Sequence, residues 1–94
     1  MATLAERFGE RVHKLREKSK MSQLELAQKA KVDLTTINEI ENGNREPMLK
    51  TIWKIANALK VDLPDLFEFH SVRYSENDFS GYLVRDTKAK KKKH

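Results

Sequence analysis

Along the first two thirds of the chain, apolar residues recur at three- and four-residue steps, the period of helices with one buried face. Leu4, Phe8, Val12 and Leu15 mark the first such face and predict a helix from Thr3 to Lys18. Glu10 and Lys14 supply an i,i+4 charge pair on its wet side. The pattern breaks at Ser19-Lys20-Met21 and restarts at Ser22-Gln23-Leu24-Glu25. That string is a capping box, in which serine caps a first-turn amide and glutamate reaches back to the serine amide. A second, short helix follows to Ala30, with Leu24, Ala27 and Ala30 inward and Leu26 beside them. Only Lys31-Val32 separate it from Asp33, an N-cap whose carboxylate suits the positive end of a third helix, Leu34 to Glu41.

That third helix is unlike the others. Ile37 and Ile40 are its only large inward residues; Thr35, Thr36, Asn38 and Glu39 are polar and of moderate or poor helix propensity. Such a segment needs its neighbours to hold it. Asn42-Gly43-Asn44 ends it, with Gly43 suited to a left-handed cap. Pro47 predicts the first turn of a fourth helix reaching Leu59, with Leu49, Ile52, Ile55, Ala56 and Leu59 inward and Trp53 at the core rim. A fifth short helix opens at Asp62 and carries Leu63, Leu66 and Phe67. The expected architecture is all-α, with five helices in residues 1–69 and a C-terminal extension over 70–94. In the extension Val72, Tyr74, Phe79, Tyr82, Leu83 and Val84 are scattered, and residues 88–93 read KAKKKK, a low-complexity run expected to be disordered.

Composition narrows the chemistry. The 94 residues bury one modest core, and the absence of cysteine excludes disulfides and thiolate metal sites. His13, His70 and His94 lack carboxylate partners at ligand spacing, and His13 reads as a surface residue of the first helix. The three glycines form no phosphate-cradling loop. No catalytic set, metal or cofactor is therefore expected. No stretch approaches the ~20 apolar residues of a membrane span. Glu6 and Glu10 stand where a signal peptide would need a basic start and an apolar run, so a cytoplasmic location is expected. Formal charge is +5, but residues 1–69 hold 12 basic against 11 acidic residues, while 70–94 hold 7 against 3. Nucleic acid would have to be bound by placement of charges, not by bulk charge.

Two short helices joined by a tight turn, the second polar outside, form the outline of a helix-turn-helix. The detailed string is more specific. Leu15-Arg16, Ser22-Gln23-Leu24-Glu25-Leu26-Ala27, Val32, Ile37, Ile40-Glu41-Asn42-Gly43 and Pro47 resemble the phage repressor and Cro (Xre-type) family of helix-turn-helix proteins. Thr51-Ile52, Lys54-Ile55-Ala56, Ala58-Leu59, Val61 and Leu66-Phe67 continue the likeness, which spans about residues 6 to 68. The resemblance implies that the third helix reads DNA. Leu34, Thr35, Thr36, Asn38 and Glu39 then fall on the base-reading face. Thr35 and Asn38 are suited to base edges, Leu34 to a thymine methyl, and Glu39 to a cytosine amino group. Gln23, Asn42, Asn44 and Arg45 fall at phosphate-contacting positions. Arg16 and Glu41 match a largely buried ion pair of structural role. Lys20 and Lys31 depart from the family, which usually has glycine at both places; a left-handed backbone there costs about 1–2 kcal/mol each.

The expected function is sequence-specific regulation of transcription, with repression as the default because it needs only occupancy. One short helix reads about four or five base pairs, so a homodimer on a palindromic operator with half-sites ~34 Å apart is expected. Leu66, Phe67, Phe69, Phe79, Tyr82 and Leu83 are candidates for the dimer seam. Two alternatives remain: an antitoxin that binds both its operator and a toxin, and a module that binds another protein and no DNA. The KAKKKK run would add phosphate attraction; without an adjoining apolar face, a membrane partner is not expected.

Overall fold

The computed structural model describes residues 2–69. Four α-helices, α1 (Leu4–Lys18), α2 (Gln23–Ala30), α3 (Leu34–Glu41) and α4 (Leu49–Leu59), are followed by a 3-10 helix, Leu63–Phe67. The all-α class is as expected, but the fifth element is a single tight helix in the 3-10 form, with Pro64 in its first turn.

The capping box read from the sequence is present and has a twin that was not expected. Ser22 Oγ accepts from the Glu25 amide at 3.0 Å, and Glu25 accepts from the Ser22 amide at 2.8 Å. Thr3 and Glu6 make the same pair at the start of α1. Asp33, the expected cap of α3, makes no such hydrogen bond. Pro47 precedes α4 instead of opening it, and Met48 takes the N-cap position. Neither α3 nor α4 is therefore started by its own side chains; packing starts them.

That packing gathers Phe8, Val12 and Leu15 of α1, Leu26, Ala27 and Ala30 of α2, Ile37 and Ile40 of α3, Ile55, Ala56 and Leu59 of α4, and Leu66. Several apolar residues expected on the inner faces lie outside it. Leu24 is 50% exposed because Leu26 takes its place. Two residues apart on a helix point roughly 200° apart, so only one of them can face inward. Leu4 and Leu49 each open a helix, one turn ahead of Phe8 and of the half-buried Ile52, and stand in the open. Leu63 also lies at the surface. Leu66, named above for a dimer seam, is wholly enclosed by its own chain and belongs to the core. Phe67 stays partly exposed, with its ring 5.3 Å from Phe8 and 6.2 Å from Phe69.

The ends of α1 to α4 share one device. Lys20, Lys31, Gly43 and Lys60 are left-handed, with φ of 59°, 59°, 77° and 60°. At each, two amides fold back on the last turn; at α2 they run from Lys31 to Gln28 O at 3.3 Å and from Val32 to Ala27 O at 3.0 Å. Met21, Val32 and Val61, the residues after the three lysines, pack against the core. The glycine-to-lysine departures thus keep the left-handed geometry and bear its strain. Gly9 has a different reason to be glycine. A Cβ there would stand 2.1 Å from the Ile40 carbonyl oxygen, because α1 presses its backbone against the end of α3.

The same contact carries a buried charge. Glu41, with a side chain only 3% exposed, receives Arg16 Nε on Oε2 at 2.6 Å and Arg16 Nη2 on Oε1 at 3.0 Å. Gln23 Nε2 donates to Oε1 at 3.0 Å, and His13 Nδ1 lies 2.9 Å from the same oxygen. Arg16 Nη1 continues to the Met21 carbonyl at 2.8 Å, so one guanidinium bridges α1, α3 and the turn before α2. His13, read as a plain surface residue, is thus a partner of both Glu41 and, at 3.2 Å, Glu17. Burial pushes the Glu41 carboxyl up. Hydrogen bonds from Arg16, Gln23 and His13, with the Arg16 charge, outweigh that and hold it below the usual carboxylate range. The hydrogen bond to Glu41 raises the Arg16 pKa against the opposing effect of burial.

Two outcomes are expected. Lys31→Gly relieves the left-handed strain and, after the greater chain entropy of glycine, should stabilise the fold by about 1 kcal/mol; a melting temperature that fails to rise in circular dichroism would contradict this. Glu41→Gln leaves Arg16 without a counter-charge and should cost about 3–5 kcal/mol. Because the folded pKa of Glu41 is depressed, its contribution is whole above the ordinary carboxylate pKa of about 4.3 and fades as pH falls through the folded value. Melts taken from pH 7 down to pH 3 should therefore show wild type losing stability more steeply below about pH 4 than the variant. Parallel curves would show that Glu41 does not carry this charge.

Candidate nucleic-acid interface

Because Ile37 and Ile40 are fully buried and Glu41 is turned into the ion pair, the opposite side of α3 faces outward. Leu34, Thr35 and Asn38 are exposed, while Thr36 and Glu39 are half-buried on the flank toward the following loop. Asn42, Asn44 and Arg45 lie exposed just past the helix, and half-buried Gln23 sits at the start of α2 beside it. The nine residues named for DNA contact therefore lie on α3, its outgoing loop and the adjoining end of α2.

Two hydrogen-bonded chains organise this surface. In the first, Gln23 holds Glu41 with its amide nitrogen and accepts from Asn38 Nδ2 on its oxygen at 3.3 Å. Asn42 Nδ2 donates in turn to Asn38 Oδ1 at 3.2 Å. Asn38 and Gln23 are thereby oriented from the buried ion pair outward. In the second, Arg45 grips Glu39 Oε1 with Nη2 at 2.7 Å and Nε at 2.8 Å. Its Nη1 makes a longer contact, 3.4 Å, to Thr36 Oγ1. Glu39 and Arg45, assigned separately from sequence to a base and to a phosphate, are one ion pair here. Nothing in their spacing announces it, since they stand six positions apart with a helix end between them. Asn44 anchors the loop through its own amide, which donates to the Glu39 carbonyl at 2.9 Å.

Away from this face, Trp53 is 54% exposed, not tucked under the core rim, and Leu49 is 78% exposed. Trp53 and Leu63 line one shallow groove with Val61 and Pro64. Of the other residues named for a dimer seam, Phe67 and half-buried Phe69 lie beside α1, and Phe79, Tyr82 and Leu83 fall outside the described residues. Among the described residues, no cluster of His, Asp or Glu is placed to hold a metal ion, and no helix is long and apolar enough to cross a membrane.

Known proteins share both the pattern and the fold. The Helix-turn-helix family matches residues 12–66. The chain is 41% identical over 66 residues to control protein C.BamHI of Bacillus amyloliquefaciens, covering 69% of this chain and 82% of that protein. It is 36% identical over 86 residues to the HTH-type transcriptional repressor RghR of Bacillus subtilis, covering 90% of this chain and 62% of the relative. The crystal structure of the restriction-modification controller protein C.AhdI from Aeromonas hydrophila superposes with a TM-score of 0.66 at 33% identity, covering 67% of this chain and 96% of that one. With α2 and α3 forming the motif and α3 presenting its polar side, the chain belongs to the Helix-turn-helix family and is a DNA-binding transcriptional regulator of the Xre/Cro type.

Proposed function

We propose that this regulator is a repressor that binds a palindromic operator as a homodimer. One observation carries the reading: α3 exposes Leu34, Thr35 and Asn38 while two isoleucines clamp its back. That leaves a polar helix face free to enter a major groove. Leu34, Thr35, Thr36, Asn38 and Glu39 form the base-facing set in this reading. Gln23, Asn42, Asn44 and Arg45 form the flanking set that meets the phosphates and fixes register. RghR, named as a repressor, supports the sign of regulation. A protein acting on an operator works in the cytoplasm.

Eight residues of helix reach too few base pairs to single out one site, so two copies are needed. The surface offered for pairing is Leu49, Trp53 and Leu63, large apolar side chains left in the open on α4 and the 3-10 helix. This replaces Leu66, which is already spent on the core. A narrower reading is favoured by the likeness to C.BamHI and C.AhdI, named as control proteins: the regulated genes are those of a restriction-modification system.

Titration of a mixed duplex at rising salt should give a linear fall of log K with log salt, with a slope of about −0.9 per phosphate neutralised. A response indifferent to salt would overturn the DNA-binding reading and favour a module that binds protein. For the pairing surface, Trp53→Glu should move sedimentation equilibrium from dimer toward monomer while helicity by circular dichroism is kept. An unchanged mass would place the seam elsewhere.

A further inference from the structure

We infer that Arg45 reads a guanine through its guanidinium, and that Glu39 is the positioning residue that aims it. The inference rests on the DNA-binding reading above and reassigns two of its residues. The motive is the way the pair is joined. Arg45 uses Nε and one N–H of Nη2, its side edge, on a single oxygen of Glu39. A guanidinium has five N–H donors, so this leaves the outer edge, formed by Nη1 and the second N–H of Nη2, unspent. Its other contact, Nη1 to Thr36 Oγ1, is long at 3.4 Å. Two parallel donors on a fixed plane match the O6 and N7 acceptors that guanine shows in the major groove.

The surroundings favour a base over a phosphate. A phosphate contact draws chiefly on net positive charge, whereas Arg45 is held against a carboxylate that cancels much of its attraction for a polyanion. Thr36, its second partner, lies on α3, so the guanidinium is drawn toward the helix flank and not out along the loop. Both partners remain accessible, with side chains 45% and 38% exposed. Glu39 also ceases to be a puzzle. A bare carboxylate facing DNA would repel it, but a carboxylate joined to Arg45 spends its charge on orientation.

The test starts by selecting duplexes bound by the wild-type protein from a random library. It then measures affinity for the selected site and for variants at each guanine. Replacing the contacted guanine by 7-deazaguanine should weaken wild-type binding roughly 5- to 150-fold, the range for a good bidentate contact. Inosine, which keeps O6 and N7, should be tolerated there. Arg45→Ala should abolish the preference at that one base pair of each half-site, and Arg45→Lys, which keeps the charge but loses the fixed fork, should weaken it with the salt slope unchanged. Glu39→Ala should reduce the same preference, and should add nothing in the Arg45→Ala background. Arg45→Ala weakening all duplexes alike while lowering the salt slope by about one per protomer would make Arg45 a phosphate contact and overturn the proposal. A wild-type selection without guanine in the half-site would do the same. Wild type that shows no salt-dependent DNA binding would instead remove the reading on which it rests.

Discussion

A carboxylate buried among three helices is costly unless it is well supplied with donors, and Glu41 receives Arg16 on both oxygens and Gln23 on one, with His13 beside them. The requirement is geometric as much as energetic. Arg16 comes from α1, Gln23 from the first residue of α2, and Glu41 from the last residue of α3. An apolar core tolerates small slides between helices, whereas a short charge-assisted network tolerates much less. The last turn of α3 can therefore occupy only one register against α1, and Gly9, where a Cβ would strike the Ile40 carbonyl, allows the backbones to meet there.

This constraint explains how a helix as poor as α3 can serve as a rigid reader. It has no side-chain cap at its start and no acidic residue in its first turn. Most of its side chains do not favour helix formation. Its order is imposed from behind by two isoleucines and from its end by Glu41 and the left-handed Gly43. The division of labour is economical: residues that hold α3 lie on one side and are apolar or buried, leaving the other side free to vary. The strained lysines belong to the same logic. A tight end to α2 at Lys31 aims α3, and the fold retains that geometry without a glycine to make it easy.

What the sequence made legible follows from which interactions are local. Helix periods, the Ser22–Glu25 box and the stop at Gly43 depend on residues a few positions apart, and they were readable. The Arg16–Glu41 pair spans 25 residues and could be named only through resemblance to a family. His13 lay beyond both methods, because its partner Glu41 stands 28 residues away and no spacing rule connects them. Leu24 and Leu49 depart from expectation for a related reason: periodicity gives a face but not where the face stops being covered. Asp33 shows the limit of residue preference, since the side chain is of the right kind and makes no cap. The Lys60-Val61 ending of α4 repeats the Lys31-Val32 ending of α2, so this turn does have a local signal in the sequence.

The polar surface of α3 is organised from two directions, and this bears on how it can discriminate. Asn38 is tied through Gln23 to the buried carboxylate, so its amide inherits the rigidity of the core. Glu39 is tied to Arg45 in the loop, whose backbone is itself pinned by the Asn44 amide. Leu34 and Thr35, at the opening of the helix, make no such side-chain hydrogen bonds among the described residues and are free to adapt. Ordering a long side chain on binding costs roughly 0.5–1.5 kcal/mol, so groups already held lose less when they meet a base. Discrimination should therefore be concentrated at the end of α3 that is braced, while its opening turn contributes fit. The brace that makes the helix stand is also what makes part of it able to read.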